Sequence, residues 1–280
     1  MSGLAWRGWN RKRGNQKNMK TFISLSGGVE STTMCLLYGK NATAIWADTG
    51  AEHEEMYARI DHLEKVFTEM HEGFTLVRVK ANTSAYGRMY NNLVWYIRRA
   101  RLLPSPGQRF CTDRFKIAPI ERYLKSQGEC ELLIGFNADE EPGKARVGNL
   151  QKLKNVSYRY PLYEDGFDRD DCEQLLRSNG LHPEFPVYMR RGGCFMCFYK
   201  SAAEYKAMYF LDNKTFRRVQ RLERNVQDKR AKYYSLLSGK TLDQIEAECK
   251  AEARMFPKRE LIAMYEKQPA GKTCGAFCNR

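Results

Sequence analysis

The stretch Thr21–Ser31, TFISLSGGVES, constrains the fold more than any other. A short apolar run closes on Ser26-Gly27-Gly28, and a stretch that can be helical, Ser31 to Tyr38, follows at once. Strand, tight turn and helix N-terminus in that order present backbone N–H groups and the positive end of a helix dipole to an anion. Gly27 and Gly28 allow close backbone approach, and Ser26 and Ser31 add hydroxyl donors, so a phosphate, pyrophosphate or sulfate suits the turn. The lysine of a Walker A loop is missing, which excludes the usual P-loop.

The next segments repeat the strand–helix alternation. Thr43 to Ala47 reads as a buried strand ending in Asp48-Thr49-Gly50, and Glu52 to His71 as a helix with Met56, Ile60, Leu63, Val66, Phe67 and Met70 on one stripe. Phe74 to Lys80 is a third strand, and this spacing predicts a parallel sheet with right-handed crossovers. Ligands bind such sheets beyond the carboxyl ends of the strands. Ser26-Gly27-Gly28 and Asp48-Thr49-Gly50 can therefore face one pocket.

Farther on, Ser84 to Leu103 reads as helical, carrying Tyr86, Tyr90, Trp95 and Tyr96 and a basic end of Arg98, Arg99 and Arg101. Thr112 or Asp113 can cap a helix running to Ser126. Glu131 to Phe136 is a fourth strand, Val156 to Tyr163 a short fifth one, and Asp170 to Asn179 a helix. Beyond Leu181 periodicity collapses, then helices return over Ala202–Leu211, Lys214–Leu237, Thr241–Phe256 and Lys258–Lys267. The expected fold class is α/β, a five-stranded parallel sheet flanked by helices, with a helical C-terminal portion. The expected organisation is a basic arm over 1–20, the α/β domain over 21–198, helices over 199–267 and a Cys-containing tail over 268–280.

With 280 residues, 42% of them hydrophobic, the chain can bury a sizeable core. It holds no apolar run of about 18 residues and no apolar signal region, so the expectation is a cytoplasmic protein without a membrane partner. Nine cysteines, an odd number, argue against a disulfide framework and for metal, cluster or thiol chemistry at some of them. Cys35, Cys130, Cys172 and Cys249 fall in or beside ordinary strand and helix patterns and read as core or surface thiols. Cys194 and Cys197 form a C-x-x-C in a glycine-led, aromatic-flanked loop, a pattern open to a metal centre, zinc or a redox dithiol. A net charge of +14 suits either a polyanionic partner or a solvated basic surface. The excess is densest at Arg7, Arg11, Lys12, Arg13, Lys17 and Lys20, interleaved with Trp6 and Trp9, as in an arm that can lie on nucleic acid.

Taken together, SGGVES, DTGAEHEE, CTDRFKIAPI, YPLYEDGFDRDD and PVYMRRGGCFMCF resemble, in this order, the motifs of the sulfonucleotide reductase (PAPS reductase) branch of the PP-loop superfamily. They also resemble its relatives that transfer sulfur to nucleic acids. The resemblance spans Thr21 to Phe198 and implies a Rossmann-like PP-loop fold around an adenine nucleotide. It implies that Ser26, Gly27, Gly28 and Ser31 hold phosphates, with Glu30 where the family has Asp. Asp48, Thr49 and Gly50 would line the nucleotide side of the cleft, and Arg114 and Lys116 would neutralise phosphate or sulfate. Glu140, Glu141, Lys144 and Arg146 resemble the family's mobile acid-and-arginine loop.

In the reductase relatives the C-x-x-C finds its partners at the earlier Cys-containing helix start, here Cys111. Cys111, Cys194 and Cys197 would then hold a [4Fe–4S] cluster whose fourth iron takes Cys274, Cys278 or an exogenous ligand, with zinc as the alternative. Cys274-Gly275 resembles the mobile Cys-Gly segment whose thiolate attacks adenylyl sulfate. Three functions stay open. The first cleaves ATP, with Mg2+, to AMP and pyrophosphate and sends sulfur to an adenylated acceptor, with Glu30 and Lys116 as catalytic positions. That acceptor would be a nucleic acid held by the arm and by Lys214–Lys232, and a sulfur-donor protein is a further partner. The second reduces adenylyl sulfate or its 3′-phosphorylated form through Cys274. The third is a non-catalytic nucleic-acid-binding protein.

Overall fold

The computed structural model describes residues 19–140, 153–227, 235–269 and 271. The α/β part begins β1 (Lys20–Ser24), α1 (Val29–Tyr38), β2 (Ala42–Asp48), α2 (Glu54–Met70) and β3 (Thr75–Lys80). A hairpin of β4 (Thr83–Ala85) and β5 (Arg88–Tyr90) leads into α3 (Leu93–Ala100), α4 (Phe110–Thr112) and α5 (Ala118–Lys125). Then come β6 (Cys130–Leu133), β7 (Val156–Arg159), α6 (Pro161–Glu164) and α7 (Arg169–Ser178). The C-terminal portion consists of α8 (Ala202–Leu211), α9 (Asn213–Gln227), α10 (Leu242–Met255) and α11 (Lys258–Lys267).

The five-stranded sheet has the order β3-β2-β1-β6-β7, with every neighbouring pair parallel. Successive residues of a strand face opposite ways, and both faces here are apolar. Ile23, Ala44, Trp46 and Leu133 join one buried cluster, while Phe22, Ile45, Ala47 and Leu132 join the other beneath Ile120 and Leu124 of α5. The first cluster continues without a break through Phe195 and Met196 to Tyr205, Phe216, Ile245 and Tyr265. The C-terminal helices thus share the core of the sheet. Strand order reverses between β1 and β6, so the crevice of this sheet opens at the carboxyl end of β1, where Ser26-Gly27-Gly28 lies.

Helix starts follow local chemistry. Asp168 with Asp171, Ser201 with Glu204 and Thr241 with Gln244 each form a reciprocal capping box that fixes the start of α7, α8 and α10. Four expectations are corrected. Phe110–Thr112 is already helical, so neither Thr112 nor Asp113 starts that helix as a cap, and Ser235, Leu236 and Leu237 are not helical, since the chain bends there toward the Leu237–Lys240 bridge. The stretch from Ser84 is not helical at its start: Tyr86 and Gly87 take left-handed backbone angles, close a hairpin, and leave only Leu93–Ala100 as helix. The fifth strand stops at Arg159, because Pro161 has no N–H to offer a ladder and instead opens the helical turn α6. No helix among the described residues is long and apolar enough to cross a membrane.

Candidate active site

Gly27 turns the chain out of β1 at φ +80. A Cβ there would stand 2.8 Å from Met56 Sδ, so only glycine lets α2 pack this close. Ser26 and Ser31 close the loop, their hydroxyls 2.9 Å apart, and Ser31 Oγ also accepts the Ser26 N–H at 3.1 Å. Behind the loop Arg59 of α2 donates to Gly27 O at 2.6 Å, Thr32 Oγ1 at 3.2 Å and Leu181 O at 3.0 Å. Burial pulls its pKa down to about 10. The guanidinium therefore acts as a brace for the loop. Gly28 caps α1 without a side chain, so the helix N-terminus opens into the crevice.

The carboxyl end of β2 forms a second hub. Asp48 Oδ1 accepts from Gly50 N and Tyr57 Oη, both at 2.8 Å, and Asp48 Oδ2 lies 3.2 Å from Lys80 Nζ. Gly50 takes φ +69, and a Cβ on it would run into the Asn92 side chain. That asparagine caps α3 and donates to Gly50 O at 3.0 Å. The C-x-x-C loop docks on the same turn: Glu52 and Cys194 form a β-bridge, and Phe195 N donates to Ala51 O at 3.0 Å. Glu52 Oε1 accepts from Thr49 Oγ1 at 2.8 Å and from Cys194 Sγ at 3.3 Å.

Two cavities meet at this point. A cleft of about 500 Å³ is lined by Leu25, Ser26 and Gly28 on one side and by Trp46, Glu52 and Ile120 on the other, with Lys116, Arg191 and Gly193. The second cavity, about 660 Å³ counted out to open solvent, holds Cys111, Cys194 and Cys197 together with Lys200 and Glu204. Lys116, Arg191 and Gly193 line both. Lys116 reaches this position from a π-helical turn, Asp113–Ile117, set between α4 and α5. Such turns are frequent at functional sites because one extra residue re-aims the side chains around it.

The structure brings together Ser26, Gly28, Lys116, Cys111, Cys194 and Cys197, with Gly27 and Ser31 shaping the loop from behind. It places three other expected residues elsewhere. Glu30 pairs with Arg169 and accepts from Asn137 at 3.4 Å, which directs its carboxylate to the start of α7. Arg114 lies over the Tyr96 ring at 5.6 Å and donates to its hydroxyl. Asp48 is occupied by Tyr57, Gly50 and Lys80. Arg146, Cys274, Cys278, Glu141 and Lys144 lie outside the described residues, as does most of the arm over 1–20.

Sequence reasoning missed Arg191, Glu52, Lys200, Trp46 and Arg59. Arg191 directly precedes the glycines of the C-x-x-C loop, and that adjacency is the one linear signal that could have found it. Lys200 is buried and donates to Tyr188 O at 2.7 Å; burial lowers its pKa, against the nearby Glu204, Cys197 and Cys194.

A metal centre was expected at the thiols. Among the described residues no group of three His, Cys, Asp or Glu side chains is placed to hold a metal ion. Burial, reinforced by the Glu52 carboxylate, pushes the Cys194 thiol well above its ordinary pKa, and its hydrogen goes to Glu52. A cluster or zinc ion would need that sulfur as a thiolate. Cys111, Cys194 and Cys197 line one cavity without forming a ready-made metal site among the described residues. Among the other described thiols, burial pushes Cys172 and Cys249 up to about 12 and raises Cys35 and Cys130.

Residues 20–197 match the family model of the phosphoadenosine phosphosulfate reductase domain. Among curated proteins the chain is 24% identical over 208 residues to the uncharacterized nin region protein ORF290 of Escherichia phage lambda, covering 65% of this chain and 67% of that one. It is 20% identical over 200 residues to the uncharacterized protein MJ0066 of Methanocaldococcus jannaschii, covering 59% of this chain and only 38% of the archaeal protein. Among solved structures, phosphoadenylyl-sulfate reductase from Candida auris, in its phosphate complex, aligns with a TM-score of 0.42 at 12% identity. That alignment covers 59% of this chain and 74% of that one.

Proposed function

The chain belongs to the phosphoadenosine phosphosulfate reductase domain family, and from that premise we propose an enzyme that binds an adenine nucleotide in the cleft and performs sulfur chemistry from the adjoining thiol cavity. The observation that carries this reading is the shared wall of Lys116, Arg191 and Gly193 between the two cavities. A phosphate chain seated on Ser26 and Gly28 has two cations beside it and thiols beyond them. Trp46 and Ile120 offer an apolar surface to the base.

In the leading form the nucleotide is ATP, arriving with its divalent cation. An acceptor oxygen attacks the α-phosphorus and pyrophosphate leaves. The loop N–H groups, Lys116 and Arg191 stabilise the charge that builds on the leaving oxygens. A persulfide carried on one thiol of the cavity, supplied by a sulfur-donor protein, then attacks the carbon that bears the adenylated oxygen, the C–O bond breaks and AMP leaves with that oxygen. A second thiol resolves the mixed disulfide, which yields a thiolated acceptor and a protein disulfide. The net charge of +14 favours a nucleic acid as acceptor.

A specific contact also favours the reductase form. Gly271 lines the thiol cavity and donates to Glu204 Oε2 at 2.8 Å, and Cys274 follows three residues later, within about 11 Å along an extended chain. One experiment separates the two. Protein purified without oxygen is assayed for pyrophosphate from ATP, with and without nucleic acid, and for sulfite from adenylyl sulfate. Pyrophosphate is the expected product; sulfite without pyrophosphate overturns the ATP form. Iron and sulfide in the same sample would restore the iron–sulfur form of the thiol site.

A further inference from the structure

Outside the cleft, one face pairs exposed rings with arginines. On the β4–β5 hairpin and the outer stripe of α3, Tyr86, Arg88, Met89, Trp95, Arg98 and Arg99 are all exposed, Tyr86 at 70% and Trp95 at 58%. Arg98 lies 5.3 Å from the centre of the Trp95 ring, and Arg99 lies 5.2 Å from that of Tyr86. Trp95, Arg98 and Arg99 share one helix face at i, i+3 and i+4, while Leu93, Val94, Tyr96 and Ile97 turn into the core.

The hairpin turn adds an independent observation. Tyr86 at φ 48 and Gly87 at φ 75 are the two central residues of the loop between paired Ala85 and Arg88. This turn is ordinarily built from Asn-Gly, since a side chain with a bulky Cβ substituent is strained at positive φ. Local folding gives no reason for a tyrosine there. The strain is kept at a position that holds an aromatic ring out at the tip, which is the pattern of a binding surface.

We propose that this face binds a single-stranded nucleic acid, which deepens the acceptor proposed above and rests on that proposal. Exposed rings stack on unpaired bases, and the bases of a duplex are already stacked on one another. Guanidiniums beside the rings meet the phosphates, and the charge of +14 supplies the complementary field. A lipid surface fits less well, because the rings are roofed by arginines and Met89 is the one exposed aliphatic chain among the six residues. The position is apt: Leu93, at the start of α3, lines the thiol cavity. The outer stripe therefore stands about one helix diameter, roughly 10 Å, from it.

The test uses the full chain without ATP, with fluorescence anisotropy on labelled oligo-dT and oligo-U, the matching duplexes, and phosphatidylserine vesicles. The wild-type protein should prefer single strands. Trp95→Ala and Tyr86→Asn should each weaken single-strand binding about five- to a hundredfold and leave duplex binding unchanged. Trp95→Phe should keep most of it, and Arg98→Ala should lower the salt slope by about one. Asn suits the turn, so Tyr86→Asn keeps the fold. Wild-type affinity in both ring variants, a preference for duplex, or a loss confined to vesicles would overturn the proposal. Single-strand binding by a protein that releases no pyrophosphate from ATP in the separate turnover assay would overturn the ATP form and leave this surface standing; pyrophosphate release with ring-independent binding would do the reverse.

Discussion

Gly27 and Lys116 show how much of the site rests on single residues. At φ +80, with Met56 Sδ 2.8 Å from the place a Cβ would take, Gly27→Ala strains the backbone and pushes on α2. The expected loss is about 1–3 kcal/mol in urea unfolding, together with weaker nucleotide binding by calorimetry. Lys116 should matter twice, since it faces both cavities. Lys116→Ala removes a charged hydrogen-bond donor worth about 1.5–3 kcal/mol, so nucleotide affinity should fall about ten- to a hundredfold. Both residues stand in motifs readable from the chain. Arg191 too stands in such a motif, PVYMRRGGCFMCF, but its meeting with Lys116 is made by folding two distant segments onto one crevice.

At the scale of elements, α9 and α10 hold a pH-sensitive joint. Glu223 of α9 is buried and accepts from Leu236 N at 3.0 Å and Leu242 N at 2.7 Å, yet burial dominates and raises its pKa from 4.5 to about 7. Below pH 4.5 the carboxyl is protonated in folded and unfolded chains alike. Between 4.5 and about 7 only the folded state keeps the proton, so stability falls as pH rises through that window, by about 3 kcal/mol. Urea midpoints at pH 5 and pH 8 check this, and Glu223→Gln should flatten the slope. Glu246 works the other way: Arg217, Gln220 and Lys250 hold its carboxylate below the usual range, and its contribution is lost only in acid. The longer α-helices here were legible from apolar spacing. The β4–β5 hairpin was not, because Tyr86, Tyr90 and Trp95 fall at near-helical intervals and the turn uses Tyr where Asn would announce it.

Across the whole molecule, one core joins the sheet to the C-terminal helices, with Phe195 and Met196 of the C-x-x-C loop inside it. Arg190 reinforces the joint by donating to the carbonyls of Tyr265, in the last turn of α11, and Gln268, just after it. Unfolding should therefore be a single transition, with far-ultraviolet and tryptophan signals coincident, and a chain ended after residue 200 should not fold on its own. Two separate transitions would show that the helical part is an independent unit. The sequence by itself determined the parallel sheet, the anion-binding turn at the end of its first strand and the cysteine pair. Each of these is written in consecutive residues, whose period, glycine placement and spacing act locally. Only the tertiary structure decided that the thiols adjoin the cleft at the end of β1, that Lys116 and Arg191 line both, and that Glu30 turns to Arg169. Those outcomes depend on which side chains meet when distant segments pack.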